Sequence, residues 1–285
     1  MVNNIVLPYN VIIVGCARDI AIYLPKTKEI LKMLNSLFKS TKIFIYENDS
    51  KDNTLDILKL WESEKLITLF TEKNISGERT ERLAYARNKL YKEAMKDKFD
   101  LLIVMDLDDV NHDLNKEAII SCFDMKEDWG AVGSNQTITY YDIWALRTYD
   151  DKWMPFDFTI CEKYNFDECN NITKIKNIPY YTKPIEVKSC FGGLAIYKRK
   201  YLDNCTYGNG LQTYIKNNHT FQVCEHVLFN MCIRKNGGKI YINPKLINCY
   251  FLNDMRNYIR KALFILIIII IFIKLYKNKY FDTFI

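Results

Sequence analysis

The string Leu101-Leu-Ile-Val-Met-Asp106-Leu-Asp108-Asp109 runs from five apolar residues straight into a cluster of carboxylates. Side chains alternate along a strand, so Asp106 and Asp108 at its carboxyl end project to the same side. Two hard oxygen donors placed in this way can hold Mg2+ or Mn2+ against a diphosphate. Ligands of open α/β sheets bind at the carboxyl ends of strands, where this pair falls. The competing reading is a polar turn in which Asp109 or Asn111 caps the next helix. Two further carboxylates in such a turn would repel each other without a cation, so the pattern favours metal binding.

The elements that would carry this pair alternate through the first half of the chain. Short β-branched runs at Val11–Val14, Lys42–Tyr46, Leu66–Phe70 and Leu101–Met105 are separated by amphipathic stretches at Ile20–Phe38, Asp52–Ser63 and Arg79–Lys96. That alternation predicts a sheet wound with helices on its faces. Asp49 and Ser50 are placed to begin the second helix by accepting from its first backbone donors. In the third, Leu83, Ala86, Leu90 and Ala94 share one face and leave Arg79, Arg82 and Arg87 on the others. Trp129–Ser134 predicts a fifth strand. The aromatic stretch Tyr140–Tyr181 has no clean period and suits a substrate loop or lid. Order returns as a run at Val187–Tyr197, a helix at Glu225–Lys235, a Gly237-Gly238 turn and a strand at Lys239–Ile242.

Four strings, in order, resemble those of GT-A glycosyltransferases. Ile43-Phe-Ile-Tyr-Glu47-Asn48-Asp49-Ser50-Lys-Asp52-Asn53-Thr54 is similar to their second-strand motif. Arg79-Thr-Glu-Arg82-Leu-Ala-Tyr-Ala-Arg87-Asn88 resembles a helix of the capsule-associated mannosyltransferase-like group and its viral and bacterial relatives. Tyr141-Asp-Ile-Trp144-Ala-Leu-Arg147 and Phe191-Gly192-Gly193-Leu-Ala-Ile-Tyr197 are similar to later elements of such enzymes. The resemblance implies a GT-A (Rossmann-like) mixed sheet flanked by helices. It also implies transfer of a sugar from a GDP- or UDP-sugar donor to a glycan or protein acceptor, with Mn2+ or Mg2+. On this reading residues 1–255 form one domain, with a nucleotide-sugar half about 1–135 and an acceptor half about 136–255.

Site roles follow from the same resemblance. Arg18, Glu47 and Asp49 would line the nucleoside end, and Arg79 and Arg87 would face the diphosphate, where a guanidinium fork bonds two phosphate oxygens at once. Surface pairing with Glu78 and Glu81 is the plainer explanation for those arginines. Trp144, Arg147, Gly192 and Gly193 fall on the acceptor side. Trp144 offers a flat face for a sugar ring or packs in the core, Arg147 supplies charge, and the glycines permit close backbone approach or form a bulge. Glu225 would act as general base on the acceptor hydroxyl or merely favour the positive helix N-terminus. His226 would complete the metal shell as a neutral imidazole.

Two rivals remain. A haloacid-dehalogenase-type phosphohydrolase also ends a strand in Asp-x-Asp, but there the motif usually closes the first strand and a small β-branched residue follows directly, where Asp109 stands here. A non-catalytic carbohydrate-binding protein on the same sheet is the other.

The 285 residues include 40 basic and 34 acidic ones, a net charge of +6, with no extended basic run that would track a nucleic-acid backbone. Nine cysteines without a C-x-x-C pair indicate neither zinc nor a complete disulfide framework, and mostly reduced thiols in a cytoplasmic setting are expected. The hydrophobic C-terminal tail, 256–285, contains the apolar run Ala262–Ile273 between basic flanks. It is short for a membrane span and reads as an interfacial anchor or a buried helix.

Overall fold

The computed structural model describes residues 5–149, 177–208 and 223–250; the tail, with its 262–273 run, lies outside them. The described strands are β1 (Leu7–Ala17), β2 (Phe38–Asn48), β3 (Thr68–Glu72), β4 (Leu101–Met105), β5 (Ala131–Gln136), β6 (Ile185–Val187), β7 (Leu194–Lys198) and β8 (Ile240–Cys249). They form one sheet in the order β3-β2-β1-β4-β7-β5-β8-β6. β3, β2, β1 and β4 run parallel, whereas β7 is antiparallel to both β4 and β5. The helices are α1 (Leu24–Leu37), α2 (Thr54–Ser63), α3 (Arg79–Ala94), α4 (Lys116–Ile120) and α5 (Glu225–Lys235). This is the expected mixed sheet with flanking helices.

The period of two along β1 explains why both faces are covered. Val11 and Ile13 join Leu31, Leu34 and Ile119 in one core, while Ile12 and Val14 join Ala86, Leu90 and Phe229 in the other. Strands buried on both faces read as continuous apolar runs, which is why β1 and β4 are plain in the sequence. Each fully buried Ile or Leu contributes about 1.5–3 kcal/mol.

The loops after β1 and β2 lock together. Asp52 accepts the amide N–H of Thr54 and that of Ala21, each at 2.9 Å, and the Thr54 hydroxyl oxygen accepts the Ile20 N–H at 2.8 Å. The second helix therefore starts at Thr54, with Asp52 serving its first turn. Asp49, expected there, lies at φ 55° and instead accepts the N–H groups of Asn74 and Ile75.

Other expectations also shift. The ordered stretch Val187–Tyr197 holds the end of one strand and most of the next. Gly192 and Gly193 have φ of +74° and +86°, which breaks the extension, so β6 pairs with β8 while β7 inserts between β4 and β5. β8 extends well past Ile242 because register shifts between Gly133 and Asn135 and between Asn135 and Gln136 absorb its extra residues, so that Ile247 and Cys249 still pair with β5. The short helix α4, capped by Asn115, carries too few residues to show a period. Cys205 and Cys232 form a disulfide with a sequence separation of 27, invisible in any local spacing, and the five other described cysteines are free. Among the described residues no helix is long and apolar enough to cross a membrane.

A Cβ added at Gly193 would lie 2.5 Å from Val110 Cγ1, on a backbone conformation that L side chains rarely adopt. Gly193→Ala is therefore expected to lose about 2–4 kcal/mol of stability in urea denaturation; a loss below about 0.5 kcal/mol would show that this turn is not constrained.

Candidate active site

A cleft of about 490 Å3 opens where β1 and β4 end, lined by Arg18, Arg79, Arg82, Arg87, Asp106, Asp108, Asp142, Trp144, Phe191, Glu225 and His226 among others. Its centre is Arg87. Expected off the apolar face of α3, this residue in fact lies on it, four residues after Leu83 and three before Leu90, and it is 4% exposed. Its Nη2 lies 3.0 Å from Asp106 Oδ1 and its Nε 3.0 Å from Glu225 Oε1. Burial opposes its charge, but Asp106 and Glu225 outweigh that cost and keep the guanidinium pKa well above its ordinary value. Arg87 thus joins α3, the end of β4 and the start of α5 through charge, and Phe191 covers its guanidinium at 5.1 Å.

The Asp106 backbone is fixed as tightly as its side chain. Its N–H donates to the Gly193 carbonyl at 2.9 Å, and Asn111 Nδ2 donates to the carbonyls of both Asp106 and Gly193 at 2.7 and 2.9 Å. Burial raises the Asp106 carboxyl pKa despite Arg87. Asp108 follows at the mouth, where its Oδ1 accepts the Val110 N–H at 3.3 Å. Burial, and then the charge of Asp106, push its carboxyl up to about 6. Asp108 is nonetheless open to solvent, and screening by water limits what that shift means for stability. Among the described residues no group of three or more His, Cys, Asp or Glu is arranged to hold a metal ion. Asp106 and Asp108 form a two-carboxylate ledge, a donor set suited to a hard cation that takes its other ligands from phosphate and water.

His226 does not join that ledge. Its ring stacks on Phe191 with centroids 3.8 Å apart and meets the edge of Tyr207 at 5.4 Å. Neither ring nitrogen has a hydrogen-bond partner. Burial, aided by Arg87, lowers its pKa well below the ordinary value, so the imidazole is neutral.

The remaining expected residues divide. Arg18, Arg79 and Trp144 line the cleft. Glu47 is buried beneath its loop and accepts the Ser50 N–H at 2.9 Å; its neighbour Asn48 reaches the cleft instead. Asp49 is held below the usual carboxylate range by the Asn48 side chain and by the N–H groups of Asn74 and Ile75, and it does not line the cleft. Arg147 is buried and donates Nη1 to the carbonyls of Trp144 and Leu146 at 3.1 and 2.7 Å, and it does not line the cleft. Gly192 and Gly193 act beneath the surface: a Cβ on Gly192 would lie 2.6 Å from the Ser134 carbonyl oxygen. Asp142 and Arg82 line the cleft without having been singled out. Both sit inside quoted motif strings, but nothing in their spacing distinguished them from solvated neighbours.

The chain matches glycosyl transferase family 2 over residues 25–206 and belongs to that family. Among solved structures it is similar to a mannosyltransferase, PcManGT, from Pyrobaculum calidifontis in complex with GDP-Man and Mn2+, at 11% identity and TM-score 0.50, covering 85% of this chain and 56% of that one. It is also similar to S. aureus TarS 1-349, at 12% identity and TM-score 0.46, covering 82% and 57%. A complex of that TarS fragment with UDP-GlcNAc gives 13% identity and TM-score 0.45, covering 82% and 55%. The chain spans little more than half the length of these neighbours. Likeness at such identity concerns the fold, here carried by the first, and the sheet is GT-A-like. No curated protein matches the chain.

Removing one member of a buried ion pair leaves the other charge uncompensated. Arg87→Met is expected to cost about 3–5 kcal/mol in urea denaturation, and adding Glu225→Gln is expected to recover at least about 1 kcal/mol of it. Strict additivity of the two losses would contradict the coupling.

Proposed function

We propose that the chain transfers a sugar from a nucleoside diphosphate sugar to an acceptor hydroxyl, with a divalent cation at Asp106 and Asp108. The observation that carries this reading is one cleft that faces a two-carboxylate ledge with Arg18, Arg79 and Arg82. A diphosphate needs both kinds of group: guanidinium forks for its oxygens, and a hard cation between its charge and the carboxylates. Membership of a glycosyl transferase family supports the same reading.

Each residue then has a task. When bound, Mn2+ or Mg2+ supplies Lewis-acid stabilisation of the charge that builds on the departing diphosphate. Arg79 and Arg82, on the first turn of α3, bind phosphate oxygens, and Arg18 and Asn48 hold the nucleoside end. Arg87 keeps Asp106 oriented toward the ledge. Glu225, with Oε1 on Arg87, serves to hold that guanidinium in place. Trp144 offers its ring to a sugar. The sequence likeness to the capsule-associated mannosyltransferase-like group makes a guanosine donor, GDP-mannose, the first to examine; a UDP-sugar, UDP-GlcNAc, is the second, and the acceptor is a glycan or protein hydroxyl.

Thermal melting of the full chain with GDP-mannose or UDP-GlcNAc tests this, because a ligand that binds only the native state raises the melting point. We expect a rise that requires Mn2+ and disappears with chelator. Asp108→Asn is expected to keep the fold, lose the Mn2+-dependent rise and lower donor turnover at least about a hundredfold. Wild-type turnover in that variant, or full activity in excess chelator, would remove the metal-assisted reading.

A further inference from the structure

We propose that Asp142 is the group that accepts the proton of the attacking hydroxyl, an assignment that rests on the sugar-transfer reading above. The cleft is lined by the carboxylates of Asp106, Asp108, Asp142 and Glu225. Asp106 and Glu225 each have one oxygen on Arg87 at 3.0 Å, and Asp106 is further assigned to the cation. Asp108 stands on the ledge. Asp142 has no ionic partner among the described residues. Among the described residues its carboxylate accepts backbone N–H groups, from Ala145 to Oδ1 at 3.2 Å and from Gly192 to Oδ2 at 3.3 Å. These bonds orient it while leaving further lone-pair capacity on both oxygens. It lies on the wall that also carries Trp144, where a sugar hydroxyl would arrive.

The position is built rather than incidental. Gln136 accepts the Tyr141 N–H at 2.8 Å and donates Nε2 to the Gly192 carbonyl at 2.8 Å. Asn248 donates to the same carbonyl at 2.9 Å and to Asn111 Oδ1 at 2.8 Å, and Asn111 holds the Asp106 carbonyl. One buried chain of amides therefore fixes both Asp142 and Asp106. The chemistry agrees with the placement. Burial pushes the Asp142 carboxyl up to about 6, against the two backbone donors and with the help of Asp106 and Glu225. The neutral titratable groups in range, the Tyr140 and Tyr141 hydroxyls and the Cys190 and Cys224 thiols, are all raised, chiefly by burial, and stay neutral. A base of that strength is ionised at neutral pH yet takes a proton readily.

In the step, the acceptor O–H bond breaks and its proton passes to Asp142. The oxygen forms the bond to the anomeric carbon. The bond from that carbon to the diphosphate breaks, and its electron pair leaves on the nucleoside diphosphate.

Water and azide separate this role from others, because azide attacks without a proton to lose. With Mn2+ and GDP-mannose or UDP-GlcNAc, Asp142→Asn is expected to keep the donor-induced melting shift and lose donor hydrolysis at least about a hundredfold, while azide still yields glycosyl azide at the wild-type rate. Hydrolysis at the wild-type rate overturns the assignment; so does loss of the azide reaction, or of donor binding, along with hydrolysis. If wild-type protein binds neither donor, the sugar-transfer reading fails and takes this one with it. Should Asp142→Asn melt well below wild type without ligand, Asp142→Ser, whose hydroxyl can still accept the Ala145 N–H, gives the same readout.

Discussion

A positive charge enclosed in protein must be matched, and Arg87 is matched from two directions. Asp106 comes from the end of a strand and Glu225 from the start of a helix, each at 3.0 Å. Transferring a guanidinium from water costs several kcal/mol, and the attraction offsets that cost only when geometry is good and both acids are in place. The ion cluster is therefore weak evidence of stability, but it ties three elements: α3, β4 and α5 cannot shift independently without stranding a charge. The cleft's shape follows from that restriction.

A second, uncharged restraint works beside it. Ser134 Oγ, Gln136 Nε2 and Asn248 Nδ2 converge on the Gly192 carbonyl at 2.6, 2.8 and 2.9 Å. In a low-dielectric interior such bonds strengthen one another, and a partner left unbonded would be costly. The antiparallel insertion of β7 places this turn against the aspartate loop, which is why glycine is required where Ser134 and Val110 press close.

Much of the scaffold was legible in the sequence. β4 and α5 have the expected bounds, and β1, β2, α2 and α3 differ only at their ends, because apolar runs and helical periods report burial directly. The carboxylate pair at the end of β4 was legible for the same reason. What escaped depends on tertiary contacts. A helical wheel cannot tell that Arg87 finds two acids inside the protein, nor that Glu47 turns under its own loop to meet Ser50. The Gly192-Gly193 pair signalled a close approach or a bulge but not that the chain leaves one strand there and enters another, and His226 offers a ligand on paper while aromatic rings pack against it in the fold. Asp142 lies in the Tyr141–Arg147 string, but that it has no ionic partner among the described residues is a property of the folded chain.

Among the described residues Asp106 and Asp108 are not joined by a third acidic, His or Cys side chain arranged to hold a metal ion. On the proposed function, cation and diphosphate each complete the other's coordination, so their affinities are thermodynamically reciprocal: saturating either one tightens the other by the same factor. An enzyme built in this way would carry little metal at rest and would assemble its electrophilic centre only when donor is abundant.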